Sequence, residues 1–272
     1  MRDKLQASRF EMKYIISEET AQQVREFVRA YLELDENGVG KPNYSYPVHS
    51  LYLDSDDLKT YWSTINGDKN RFKLRLRFYN SHADSPVFFE IKRRMNNCIM
   101  KQRGAVRRDC VDSLLAGQLP SREHLIASDQ ESELQNKHLM ALGNFCRLMS
   151  EIQAGPKVHI AYLREAYVPW NDNSARLTMD REVRSEPELT ARLSTEMLHP
   201  VLVWDRDVVL ELKFTNRFPE WFRQLTQAFN LRQCGAAKYV DGVALQGEYR
   251  LRPRTAYLRT LGMSEKQDAA PV

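Results

Sequence analysis

The stretch RFKLRLRFYN, residues 71 to 80, alternates without a break. Lys73, Arg75 and Arg77 fall on one parity; Phe72, Leu74, Leu76 and Phe78 fall on the other. A period of two marks a β-strand with unlike faces, because successive side chains point to opposite sides of the sheet. One face is core. The other is a row of cations, which repel one another unless something anionic stands among them. Any fold for this chain must bury the first face and supply anions to the second.

The same alternation recurs. In SPVFFEIKRR, Glu90, Lys92 and Arg94 oppose Phe89 and Ile91. In NCIMKQRGAVRR, Lys101 and Arg103 share a parity. In SRFEMKYII, Arg9, Glu11 and Lys13 oppose Phe10, Met12, Tyr14 and Ile16. In DVVLELKF, Val209, Glu211 and Lys213 oppose Val208, Leu210, Leu212 and Phe214. YPVHSLYLDS, KVHIAYLREAYV and ARLTMDREV also read as strands. Helical spacing begins near Ser17, a suitable N-cap, with Ala21, Val24, Phe27, Val28, Tyr31 and Leu32 on one face. Further helices are expected around DDLKTYWSTI, from Val111 to about Glu151, and at FPEWFRQLTQAFN; CGAAKYVDGVALQ reads as a helix or turn. Runs of strands joined by short turns, with helices between the runs, predict an antiparallel α+β architecture and not a parallel doubly wound sheet. If the sheet curls shut into a barrel or tunnel, the charged rows face a common interior. One domain over residues 1–250 is expected, followed by a polar, loose tail at 251–272.

Composition sharpens this. The net charge is +4, yet residues 71 to 108 alone carry eleven Lys and Arg against Asp84 and Glu90, which leaves the rest of the chain acidic. Basicity confined to one region argues for a site with a polyanionic ligand. On a merely solvated sheet face both signs mix, because like charges opposed across strands destabilise. Here cations dominate one parity of three successive strands, with Glu90 the exception. A lumen lined with Arg and Lys and a few carboxylates would be unstable when empty and suited to a phosphate chain, since Arg grips phosphate oxygens in pairs and Lys supplies a point charge.

Other chemistries find no support. There is no GxxxxGK[ST] loop, GxGxxG turn or GxSxG elbow. The six histidines are scattered, and the four cysteines form no CxxC pair and read as reduced thiols. Aromatics in the basic strands lie mostly opposite the cations, so no base-stacking groove forms and no nucleic-acid partner is expected. No apolar run reaches the roughly 20 residues a membrane span needs, nor is there a signal-peptide core; a cytoplasmic location is the expectation.

In order, the segments FEMKY, VHSLYLDSDDLKTYW, KLRLRFY, FFEIKRR, MKQRGAV, AYLREAYV, RLTMDREV, LELKF and AAKYVDG resemble the VTC domain. This is the polyphosphate polymerase domain of the vacuolar transporter chaperone complex, within the CYTH-like triphosphate tunnel metalloenzymes. The resemblance runs from about residue 8 to residue 245. It implies a tunnel that takes ATP and a growing polyphosphate or triphosphate chain, uses a divalent metal (Mn2+, or Mg2+), and transfers the terminal phosphate of ATP to the chain. By motif, the catalytic cations it implies are Lys13, Arg75, Arg77, Lys92, Lys101, Arg164, Arg176 and Lys238. Arg9, Lys73, Arg103 and Lys213 join them as substrate-binding residues, and Glu211, assisted by Glu11, is the implied metal carboxylate. Lys238 is singled out by the resemblance alone. The wider superfamily opens with ExExK, where this chain has Arg9, Glu11 and Lys13, so one carboxylate is replaced by a cation. The chain also lacks the membrane segments and SPX domain of the eukaryotic polymerase, leaving a membrane-protein partner open. A triphosphatase of the same fold and a non-catalytic polyphosphate-binding module are the alternatives.

Overall fold

The computed structural model describes residues 9–96, 98–126, 132–170 and 174–252, with Arg9 and Ser132 described by their backbone. Along the chain come β1 (Arg9–Ile16), α1 (Glu18–Val28), β2 (Glu33–Leu34), β3 (Ser45–Asp54), α2 (Lys59–Ile65), β4 (Asn70–Phe78), β5 (Val87–Met95) and β6 (Cys98–Val106). They are followed by α3 (Val111–Leu115), α4 (Ser132–Glu151), β7 (Gly155–Val168), β8 (Ala175–Pro187), β9 (Val201–Leu202), β10 (Val208–Thr215), α5 (Glu220–Ala228) and α6 (Lys238–Gln246).

Every strand pairing is antiparallel. The order β7-β3-β4-β5-β6-β1-β10-β8 returns to its start because β8 pairs with β7. The sheet therefore closes into the tunnel that the alternating rows require, and closure removes the exposed edges of those strands. The strands are strongly staggered: among the described residues β6 and β1 pair at Ile99 and Arg9. A bulge in β8 opposite Ala161–Leu163, with Glu182 at φ 48°, adds the bend that closure needs.

Outward-facing apolar parities are covered by helices. Ser17 caps α1, its hydroxyl accepting from the Thr20 N–H at 3.2 Å. Ala21, Val24 and Val28 of α1 pack with Leu210, Leu212 and Phe222 over β1 and β10. The helix stops at Val28, so Tyr31 and Leu32 continue its apolar spacing from the following turn. The helix expected from Val111 to Glu151 is two helices, since Gly117 at φ 98° ends the first. Leu142, Phe145 and Met149 of α4 cover Leu74, Leu76, Phe89 and Ile91. α6 closes against β7 and β8, and Gly242 permits it: a Cβ there would stand 2.7 Å from Ser185 Oγ and 2.9 Å from Ile160 Cδ1. Leu251 is fully buried beside α6, and the expected loose tail lies, from residue 253, outside the described residues. Among the described residues no helix is long and apolar enough to cross a membrane.

Asp54 ends β3 and starts α2. Its buried carboxylate accepts from Thr60 N (2.9 Å), Thr60 Oγ1 (2.8 Å), Tyr61 N (3.0 Å) and, from α6, Tyr239 Oη (2.7 Å). One side chain thus serves as helix cap and interhelix tie. We expect Asp54→Ala to cost about 2–4 kcal/mol, a lost cap plus buried donors left unpaired. Urea denaturation of the two proteins measures it; a loss under about 0.5 kcal/mol would mean that water replaces the carboxylate.

Candidate functional site

One cavity of about 1720 Å3 gathers every described candidate residue, all but Lys238 brought there by strand alternation. Lys73, Arg75 and Arg77 come from β4, Lys92 from β5, Lys101 and Arg103 from β6 and Glu11 and Lys13 from β1. Arg164 comes from β7, Arg176 from β8, Glu211 and Lys213 from β10, and Lys238 opens α6. Arg9 lies in β1, and its side chain is outside the described residues.

The lumen is not a row of bare cations. Buried carboxylates neutralise much of it. Glu90, the sequence exception, is fully buried and central to one cluster. Arg75 binds it through Nε at 2.8 Å and Nη2 at 2.7 Å, Lys101 stands at 2.6 Å, Arg103 at 3.3 Å and Arg77 at 3.9 Å. Arg103 also lies 3.4 Å from the Phe88 ring centroid. Burial favours the neutral acid, but Arg75, Arg77 and Lys101 outweigh it and hold the Glu90 carboxyl well below the usual carboxylate range.

A second cluster joins β7, β8, β10 and α6. Asp180, fully buried, takes a bidentate pair from Arg164 at 2.7 and 2.7 Å and receives Lys238 at 2.7 Å. Lys238 reaches on to Glu211 at 2.9 Å, where Lys213 (2.6 Å), Lys13 (3.6 Å) and Arg164 (3.8 Å) also gather. Lys13 bridges Glu211 and Glu11, standing 3.4 Å from the latter, which Lys92 approaches at 2.8 Å. Against their burial, the surrounding lysines depress both Glu11 and Glu211 below the usual range. Tyr162 accepts from Arg77 Nη2 at 2.9 Å, and its ring lies 5.1 Å from both Arg164 and Lys238. Arg176 lines the cavity while bound to Asp35 of the β2–β3 connection at 2.8 Å.

Lys73 differs. Among the described residues it forms no ion pair; burial, followed by the neighbouring Lys13 and Lys92, lowers its ammonium to about 7. Sequence reasoning missed Asp180, although Arg176, Thr178 and Asp180 share a parity in RLTMD, and it left Glu90 without a role.

Among the described residues no three His, Cys, Asp or Glu side chains converge as a metal cage. Glu11 and Glu211 lie diagonally across the β1–β10 register, close enough for Lys13 to reach both. Small divalent ions bind through one or two carboxylates plus substrate phosphates, so this pair fits a cation whose remaining ligands are phosphate oxygens.

Taken together, closed antiparallel strands around a lumen rich in Lys and Arg, with buried carboxylates between them, define an anion-binding tunnel. The family model for the VTC domain matches residues 8–246, and the chain belongs to that family, which ties the tunnel to polyphosphate-related function. No curated protein sequence matches the chain. Similar solved structures include a proposed adenylate cyclase from Bacillus halodurans, 13% identical with a TM-score of 0.44 over 85% of this chain and 94% of that one. A protein from Pyrococcus horikoshii is 11% identical with a TM-score of 0.41, over 88% and 99%.

The depressed carboxylates set the pH dependence. An acid whose native pKa lies below its unfolded value stabilises the fold fully above the unfolded value, and that contribution is lost as pH falls toward the native pKa. Urea unfolding should therefore show stability falling as pH drops below about 4.3, the ordinary Glu value. Glu90→Gln should cost about 3–5 kcal/mol at pH 7, by leaving buried cations facing one another. The gap between variant and wild type should narrow in acid, and a gap independent of pH would remove Glu90 from the counter-ion role.

Proposed function

We propose that the chain is an ATP-dependent polyphosphate polymerase, transferring the terminal phosphate of ATP to a polyphosphate chain held in the tunnel. The observation that carries this reading is the length of the cationic row. Arg77, Arg75, Lys73 and Arg71 line the cavity in succession along β4 alone. At about 3.4 Å per residue that row spans about 20 Å, far more than three linked phosphoryl groups occupy. A tunnel evenly lined over such a length suits a chain better than a single triphosphate.

Phosphoryl transfer asks the protein mainly for position and charge. Lys13, Arg164, Lys213 and Lys238 surround Glu211, and phosphate oxygens entering there exchange contacts with groups already oriented by Glu211 and Asp180. Arg75 and Arg77, fixed by Glu90, Tyr52 and Tyr162, hold the neighbouring phosphates. The end of the polyphosphate chain is itself anionic at neutral pH and serves as nucleophile, so the reaction needs no general base. Glu211 and Glu11 would hold a divalent cation, manganese or magnesium, which when bound would supply charge neutralisation.

Incubation of the purified protein with ATP and manganese tests the reading. Polymer stained on a gel, with ADP released, is the expected result; stoichiometric free phosphate without polymer would replace the polymerase with a triphosphatase.

Two variants separate roles. Glu211→Gln should abolish turnover and weaken manganese binding, while polyphosphate affinity holds or rises because a carboxylate leaves the anion site. Manganese affinity unchanged in direct titration would remove Glu211 from metal binding. Arg77→Ala should also abolish turnover, but with a stability loss of about 1–3 kcal/mol, since Ser50 and Tyr162 lose a buried partner. A rise in melting temperature would instead mean that Arg77 is held against net repulsion.

A further inference from the structure

The two ends of the tunnel are not neutralised alike. At the end formed by the close of β7 and the start of β8, the lining cation Arg176 is bound to Asp35. At the opposite end α6 packs on β7 and β8, and the cavity continues past it along β4 and β5 to Arg71 and Arg94. Arg71 and Arg94 are direct cross-strand partners, an arrangement of like charges that costs stability.

Their bonding leaves capacity unused. Arg71 donates to the Asp68 carbonyl and Arg94 to the Asn96 carbonyl at 2.8 Å. Neither forms an ion pair among the described residues, although Asp68 is the nearby acid acting on Arg71. Burial, with Arg94 next, disfavours the Arg71 cation. Guanidinium groups opposed across strands at a solvent-open rim, with donors unspent and no carboxylate bound, form a site for linked phosphates.

We propose that Arg71 and Arg94 form a subsite for the distal part of a polyphosphate chain, occupied by chains long enough to run past Lys73 and left empty by a triphosphate. This rests on the polymer-binding reading of the tunnel. The rim makes affinity depend on chain length and sets the end at which a lengthening chain emerges.

The test compares binding of tripolyphosphate and of long-chain polyphosphate, at fixed ionic strength and without ATP, by the wild-type protein and by Arg71→Gln/Arg94→Gln. The double variant should bind long chains about tenfold less tightly, with tripolyphosphate affinity within about twofold of wild type. Retained tripolyphosphate binding also shows that the variant is folded. A parallel loss for both ligands would place the rim within the triphosphate site, and no loss for either would leave it without a role; each overturns the subsite. A single-stranded oligonucleotide that competes as well as long polyphosphate, and loses the same affinity in the variant, would overturn it in favour of nucleic acid. If the wild-type protein binds neither phosphate ligand, the polymerase reading fails together with the subsite. Polymer synthesis with unaltered chain-length dependence in the variant removes the subsite alone.

Discussion

Buried carboxylates hold this tunnel in shape. Glu90 and Asp180 are fully buried, and each would cost several kcal/mol to desolvate alone. Clusters of cations offset that cost: Arg75, Arg77, Lys101 and Arg103 around Glu90, Arg164 and Lys238 on Asp180. Neither sign is tolerable there without the other. Among the described residues the lining holds fourteen Lys and Arg with Glu11 and Glu211 as its acids, so a large positive excess survives when Glu90 and Asp180, buried beneath those cations, are also counted. The carboxylates fix the geometry of the cations without cancelling their attraction for an anion.

That inner charge layer is tied to the outer packing through a continuous series of contacts. Asp54, at the start of α2, accepts from Tyr239 of α6 at 2.7 Å. The Tyr239 ring stacks on Tyr52 at 4.9 Å and 19°. Tyr52 Oη accepts from Arg75 Nη1 at 3.1 Å, and Arg75 Nε meets Glu90 at 2.8 Å. Local hydrogen bonding at the head of a short helix thus bears on the orientation of a lumen guanidinium. Sites built on strands and supported by a second layer of contacts hold their geometry better than sites on loops, and phosphoryl transfer depends on such placement.

Much of this was legible in the sequence, for a definite reason. A period of two survives any tertiary arrangement, so the lumen parity of Lys73, Arg75, Arg77, Lys92, Lys101 and Arg103 could be read directly. Closure could not, because the β7–β8 pairing and the meeting of Ile99 with Arg9 depend on stagger around the whole barrel. Asp180 was hidden for the same reason: its partners Arg164 and Lys238 lie on other elements, and only the register brings them together. Lys238 carried no local signal, being the first residue of a helix; the family pattern found it. Glu90 read in the sequence as an exception in a cationic row, where the fold uses it as the centre of a cluster of Arg75, Arg77, Lys101 and Arg103.

Uneven neutralisation also gives the tunnel a direction. Around Glu90, Asp180 and Glu211 the cations are locked in hydrogen-bonded pairs, and an arriving phosphate exchanges one anionic partner for another. Beyond Lys73, whose ammonium is lowered to about 7 by burial and by Lys13 and Lys92, no such partner is available among the described residues. Toward Arg71 and Arg94 even the backbone carbonyls of Asp68 and Asn96 take only part of the guanidinium donors. A phosphate placed at the carboxylate-rich centre competes with the protein's own acids, whereas one placed toward the rim meets cations that lack them. On the proposed polymer-binding reading, the favourable direction for an anionic chain is from the centre outward along β4, a path laid down by the same alternation that fixed the fold.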